Sequence, residues 1–260
     1  MTIHFRDEGE GRQLVLLHGL GASSRVFDPL HDALPHRRVI SVDLPRTAKS
    51  GHWASSTPHD VAAGLLDFLS SRGVEAFELF GHSFGGLVAL HAAAEAPARI
   101  RRLVVASAPA TGVPAEFKML LANPLMDTTM RWFGRLPPWR PAMRGYLAMI
   151  WGQARPAEHH LALYEEAVRA PGFTAGMLEA LRAVSEFRLP VETLRAAPFE
   201  KLCLWGERDR LVSPVEGERL ARAIGARLIV WPEVGHCVPE ESPARLVEVL
   251  DQPRENQSST

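Results

Sequence analysis

Cysteine is scarce in this chain. Cys203 and Cys237 are the two in 260 residues, which is no disulfide framework, and a reducing compartment suits them at least as well as an oxidising one. An excess of charge of one sign is also missing. Twenty-nine Lys and Arg stand against 30 Asp and Glu, for a formal net charge of −1. That balance offers no basic field to nucleic acid and no attraction to an anionic membrane. No apolar run approaches the ~20 residues that cross a bilayer. The opening segment Met1–Glu8 is charged and has no apolar h-region, so no secretory signal is read there and the cytoplasm is the expected compartment. The 11 histidines are scattered, with no His-x-x-x-His or Cys-x-x-Cys pair, so neither a metal nor another cofactor is expected. The adjacent His159-His160 read as surface residues.

What the chain does have is a rhythm. Short apolar runs recur at Leu14–Leu17, Arg38–Val42, Phe77–Phe80, Leu103–Ala106, Lys201–Trp205 and Arg227–Trp231. They are rich in β-branched residues and do not alternate with polar ones, which is the pattern of strands buried on both faces of a parallel sheet. Helical patterns fall between them at Arg25–Leu34, Asp60–Ser71, Phe84–Glu95, Val215–Ile224 and Pro243–Leu250. The alternation predicts an α/β fold, a doubly wound and mostly parallel sheet with right-handed crossovers. Its ligand site is expected at the carboxyl ends of the strands. With 46% apolar and 23% charged residues the composition is that of a soluble globular domain.

One interval breaks the rhythm. Gly112 to Pro198 holds no convincing strand and is rich in Met, Trp, Pro and Arg. It is too long for a loop. Helical stretches at Pro114–Leu121, Pro141–Trp151, Glu158–Ala170 and Ala175–Phe187 predict a helical cap inserted between two strands. The expected organisation is therefore a core of 1–111 and 199–250, a cap at 112–198 and a flexible tail at 251–260. The cap's apolar residues, among them Phe117, Met126, Trp132, Met143, Tyr146, Ile150 and Trp151, mostly pack its helices. A subset is expected to line a pocket for a mostly apolar substrate, since Met-rich surfaces adapt to varied ligands.

The chemistry concentrates at strand ends. Gly81-His82-Ser83-Phe84-Gly85 lies between the strand Phe77–Phe80 and a helix rich in small residues. Strand, sharp turn and helix make this Gly-x-Ser-x-Gly a nucleophile elbow. The turn strains Ser83, and side chains two residues either way would collide with neighbouring elements. A serine hydroxyl needs a general base, and the base needs an orienting acid. Asp209, in Trp205-Gly206-Glu207-Arg208-Asp209, follows a later strand and is the expected acid, with Glu207 read as a rim residue. His236, in Pro232-Glu233-Val234-Gly235-His236, follows the last strand and is the expected base. Backbone amides must also receive the negative charge of the reaction. The expected donors are Phe84, just after the nucleophile, and Leu20, in the loop His18-Gly19-Leu20-Gly21.

On His18-Gly19, the elbow around Ser83, Gly206-x-x-Asp209, and Gly235-His236 followed by Glu241-Ser242-Pro243, the chain resembles the α/β-hydrolase superfamily in its lidded form, from about Gly11 to Leu250 apart from the cap. The resemblance implies an α/β-hydrolase fold and a cofactor-free serine hydrolase that cleaves a carboxylic ester, thioester or lactone through an acyl-enzyme. Serine at the elbow is unlike the aspartate of haloalkane dehalogenases and epoxide hydrolases. Carbon–carbon bond hydrolases usually carry tryptophan after the histidine, where this chain has Cys237. A cofactor-free perhydrolase or haloperoxidase-like activity, or carbon–carbon bond hydrolysis, on the same triad is the alternative, followed by a non-catalytic ligand-binding member. A small-molecule substrate is the expected partner, for a monomer or a homodimer. The chain departs from the family in Asp43-Leu44-Pro45-Arg46-Thr47-Ala48-Lys49-Ser50-Gly51, where Arg46 and Ala48 replace glycines of an Asp-x-Pro-Gly-x-Gly-x-Ser pattern. Arg46 and Lys49 are read as solvated cations on that loop, with recognition of an anionic or carbonyl-bearing substrate group as the other reading.

Overall fold

All six apolar runs form strands in the computed structural model, which describes residues 3–45, 47, 49–51, 55–110, 123, 139–152, 156–169 and 173–252. They are β2 (Arg12–Leu17), β3 (Arg37–Val42), β4 (Phe77–His82), β5 (Ile100–Ala106), β6 (Glu200–Gly206) and β7 (Arg227–Trp231). A further strand, β1 (Phe5–Glu8), completes one sheet in the order β1-β3-β2-β4-β5-β6-β7. β1 pairs antiparallel with β3, and the other pairings are parallel. This edge strand is absent from the sequence reading because Phe5-Arg6-Asp7-Glu8 carries no buried apolar run. Ion pairs help to hold it, as Arg38 of β3 meets both carboxylate oxygens of Asp7 at 2.9 and 2.8 Å.

The continuous apolar runs have a simple cause. Each strand feeds two cores, because successive side chains point to opposite faces. Val15 and Leu17 of β2 belong to one core and Leu14 and Leu16 to the other. Cys203 and Trp205 of β6 face the first, Leu202 and Leu204 the second. Helices α2 (Pro58–Ser71), α3 (Phe84–Glu95), α7 (Val191–Ala196) and α8 (Pro214–Ile224) cover the first face, and α1 (Asp28–Ala33) and α10 (Pro243–Asp251) the second. A short helix α9 (Val238–Glu241) leads into α10.

Between β5 and β6 the described residues are helical: α4 (Trp139–Ile150), α5 (Glu158–Val168) and α6 (Phe173–Glu186) precede α7. These match three of the four stretches read from the sequence. The fourth, Pro114–Leu121, lies outside the described residues, as does Thr111 to Ala122 generally. Leu194 of α7 is fully buried against α3 and α8.

At the amino ends of the strands, two buried arginines hold the last helix. Arg37 of β3 donates to the Leu250 carbonyl, and Arg102 of β5 donates to the Val249 carbonyl at 2.9 Å. Glu78 and Glu200 pair with them, each at 3.1 Å. Cations at the carbonyl end of α10 satisfy groups that the helix itself leaves open.

Candidate active site

Ser83 occupies the turn between β4 and α3 with φ of 52° and ψ of −116°. A non-glycine residue held there stores ~1–3 kcal/mol of strain. The two glycines of the motif make the turn passable. A Cβ added at Gly81 would lie 2.3 Å from the Gly85 carbonyl oxygen, and one at Gly85 would lie 2.5 Å from those of Leu17 and His18. The Ser83 amide donates to the Ala106 carbonyl at 2.8 Å, which ties the strained residue to the end of β5.

The loops after β6 and β7 bring the two expected partners to this serine. His236 Nε2 lies 3.1 Å from Ser83 Oγ. Its Nδ1 lies 2.9 Å from Asp209 Oδ2 and 3.2 Å from Oδ1. Oδ1 of Asp209 also accepts from the Leu211 and Val212 amides at 3.0 and 2.8 Å. Three donors therefore fix this buried carboxylate. Glu207, the competing acid, is exposed, and among the described residues its amide alone is engaged, with the Trp231 carbonyl at 2.9 Å.

The expected oxyanion donors flank the serine. Phe84 opens α3, so its amide is one that the helix leaves unpaired. Leu20 sits in the loop after β2 and is oriented by a buried histidine. His18 Nε2 accepts from the Leu44 amide at 2.9 Å, so its hydrogen is on Nδ1, which donates to the Gly19 carbonyl at 2.8 Å. Burial lowers the pKa of His18 and keeps it neutral, despite the nearby Asp43. A trans peptide points its C=O and N–H in opposite directions. With the Gly19 oxygen held by His18, the Leu20 N–H is aimed away from that ring. Neither the Leu20 nor the Phe84 amide meets an acceptor among the described residues.

Several residues of the site escape sequence reasoning. His82, inside the elbow motif, donates from Nε2 to the His236 carbonyl at 2.8 Å. Burial, and then the adjacent His236, push its imidazole down to about 3, so it is neutral and serves as a strut. Glu241 gathers the histidine loop, since its carboxylate accepts from the amides of Gly152 (2.8 Å), Gly235 (3.0 Å) and Cys237 (3.1 Å). Glu240, buried beside it, accepts from the Tyr164 hydroxyl at 2.8 Å and is pushed up to about 7 by burial. Nothing in the spacing marks His82 or Glu240, and Glu241 is marked only as part of Glu241-Ser242-Pro243 without a role, because their partners are backbone groups or lie far along the chain.

A cavity of about 520 Å3 opens above Ser83, between the core and α4 to α6. Leu20, Ile150, Met177, Leu181, Val184 and Val212 supply apolar walls. No Lys, Arg, Asp or Glu lines it among the described residues. Of the cap residues read as apolar, Leu147, Ile150 and Trp151 are buried and Met149 is exposed, whereas Phe117, Met126 and Trp132 lie outside the described residues. In the atypical loop Lys49 is exposed, and Arg46 and Ala48 are outside the described residues. Asp43 anchors that loop through the Ser24 amide (2.7 Å) and His4 Nδ1 (2.9 Å). His159 is exposed, but His160 is half-buried against Trp151 with ring centroids 4.7 Å apart.

A family model described as "Alpha/beta hydrolase family" matches residues 14–249. The chain belongs to the alpha/beta hydrolase family. Among curated proteins it is 29% identical over 278 residues to Uncharacterized protein Rv2715 of Mycobacterium tuberculosis, covering 96% of this chain and 79% of that one. It is 37% identical over 130 residues to the pimeloyl-[acyl-carrier protein] methyl ester esterase of Vibrio campbellii, covering 49% of this chain and 50% of that one. Among solved structures, a thermophilic esterase from Thermogutta terrifontis superposes with a TM-score of 0.80 at 24% identity, covering 95% and 91% of the two chains.

This alpha/beta hydrolase has no group of three His, Cys, Asp or Glu side chains arranged to hold a metal among its described residues. No helix among them is long and apolar enough to cross a membrane. Both cysteines are free and buried. The site's chemical resources are thus a hydroxyl, an imidazole, a carboxylate and two open amides at the mouth of an apolar cavity.

Proposed function

We propose that this hydrolase cleaves a carboxylic ester of a mostly apolar substrate through an acyl-enzyme. Ser83 attacks the acyl carbon while His236 takes its proton. Asp209 holds the imidazole in the Nδ1–H tautomer and stabilises the imidazolium that forms. The negative charge on the carbonyl oxygen falls to the amides of Leu20 and Phe84. His236 then returns the proton to the departing alkoxide, and water, activated by the same imidazole, releases the acid. In this reading 112–198 is the cap that covers the site, and 1–111 with 199–250 is the core. A thioester or lactone meets the same chemistry.

The observation that carries the reading is the continuous hydrogen-bond relay from Ser83 Oγ through His236 to Asp209, with steps of 3.1 and 2.9 Å, below an apolar cavity. The esterase named among its relatives is consistent with it. A nitrophenyl ester of a medium-chain acid is expected to give a burst of nitrophenol, and a fluorophosphonate is expected to label the protein at Ser83. Ser83→Ala should abolish both, with turnover falling by about 10⁴-fold or more. Turnover that survives in Ser83→Ala, or no labelling of the native protein, would sink the reading.

A further inference from the structure

Two tyrosines stand in the wall of the cavity, and they are not equivalent. Tyr164 of α5 gives its hydrogen to Glu240 at 2.8 Å. Tyr146 of α4 lines the same cavity, and its hydroxyl takes no hydrogen bond among the described residues. The other polar side chains of the wall are engaged among the described residues. Ser83 and His236 form the relay, and the Nε2 hydrogen of His82 goes to the His236 carbonyl. The Cys237 thiol is a weak donor that contacts the Tyr164 hydroxyl at 3.7 Å. Outside the relay, Tyr146 is the cavity residue with a strong side-chain donor unspent among the described residues.

Tyr146 is also held in a defined place. Tyr146 and Ile150 lie one turn apart on α4, and both face the cavity. The Ile150 carbonyl accepts from the His236 amide at 2.7 Å, and Glu241 bonds the Gly152 amide just beyond. A Cβ on Gly235 would come within 2.4 Å of the Gly152 nitrogen, so the two backbones are in direct contact. The helix that carries Tyr146 is thereby fixed to the loop that carries the base. The residue lines the cavity with 43% of its surface accessible. Burial, and then the charges of Cys237 and Asp209, push its pKa up to about 12. It therefore remains a donor at any working pH.

We propose that Tyr146 is a substrate-binding residue whose hydroxyl donates a hydrogen bond to an oxygen in the alcohol half of the ester. A substrate that fills the cavity strips water from this hydroxyl, and must either supply an acceptor or leave a donor unpaired. The half of the substrate concerned follows from the mechanism. His236 delivers its proton to the departing alkoxide, so the alcohol leaves along the base's wall, and α4 is bonded to that wall. The carbonyl oxygen is taken by the Leu20 and Phe84 amides from other loops. The substrates favoured are esters whose alcohol carries an ether, hydroxyl or carbonyl oxygen on an otherwise apolar frame.

The inference rests on the ester-cleaving reading for the half of the substrate it names, whereas the donor role of Tyr146 is read separately by binding. Methoxyethyl hexanoate and butyl hexanoate differ by one oxygen at nearly constant shape. Tyr146→Phe is expected to lower kcat/KM about five- to tenfold for the methoxyethyl ester and less than about twofold for the butyl ester. In the Ser83→Ala background the same substitution should weaken binding of the methoxyethyl ester alone, measured by calorimetry. Equal losses on the two esters, or no loss on either, would overturn the assignment. So would a Ser83→Ala protein that binds neither. If the native protein cleaves neither ester while binding to Ser83→Ala still depends on Tyr146, the ester-cleaving reading fails and the donor stands.

Discussion

A single hydrogen bond decides which way the Leu20 amide faces. The His18 ring holds the Gly19 carbonyl at 2.8 Å and is itself held by the Leu44 amide. Without the ring, the Gly19–Leu20 peptide is free to turn its carbonyl toward the serine, which would put a partial negative charge where the oxyanion forms. His18→Ala is expected to lower kcat about 10²-fold with KM changed far less, since the donor acts mainly in the transition state. Steady-state kinetics on a nitrophenyl ester separates the two parameters, and equal changes in both would refute the positioning role. The sequence marks His18-Gly19 as the loop of the proposed oxyanion donor but shows only half of this device, because Leu44 lies 26 residues away.

At the scale of elements, the histidine loop is held from three sides. Glu241 of α9 binds the amides of Gly235 and Cys237 on that loop and of Gly152 at the end of α4. One carboxylate therefore joins the base to the cavity wall. Glu241→Ala leaves partly buried amides unpaired and is expected to lose about 1–3 kcal/mol in denaturant melts. Reduced activity at temperatures well below the melt is expected as well. Full activity there would show that the loop keeps its shape alone. The strands, the elbow and the order Ser83, Asp209, His236 were legible because each is local, as an apolar run or a turn of fixed spacing. The struts were not. Glu241 reads only as part of the family-like Glu241-Ser242-Pro243 that follows Gly235-His236, with no role attached, and His82 as the variable residue of its motif. β1 was missed for the opposite reason, since Phe5 alone packs on the core and its other three side chains, Arg6, Asp7 and Glu8, form ion pairs at a sheet edge.

The whole molecule should be most stable near neutral pH, and the groups responsible can be named. Burial lowers the pKa of His18, His31 and His91 and takes His82 to about 3 and His160 to about 4. Below about pH 6.5 the unfolded chain takes up protons that these folded imidazoles refuse, so stability falls as pH drops from there. Glu240 works the other way. With its carboxyl raised to about 7, the unfolded chain releases its proton first, and stability is lost as pH rises from about 4.5 to 7. Burial raises the Glu241 carboxyl as well, and several histidines against these two carboxyls leave a net acid limb. The raised Cys203 thiol, at about 12, and the raised Tyr164 phenol add an alkaline limb above about pH 9. Thermal melts across pH should therefore peak between about 6 and 8. Glu240→Gln should raise the melting temperature at pH 8 and change it little at pH 4, and the reverse pattern would contradict the buried carboxyl. One feature far from this chemistry has a practical side. Because Arg37 and Arg102 pin the last turn of α10 at the amino ends of the strands, that helix ends at Asp251 on the face opposite the cavity. A tether or fusion partner attached there, as for fixing the enzyme to a solid support, would leave the entrance facing the solution.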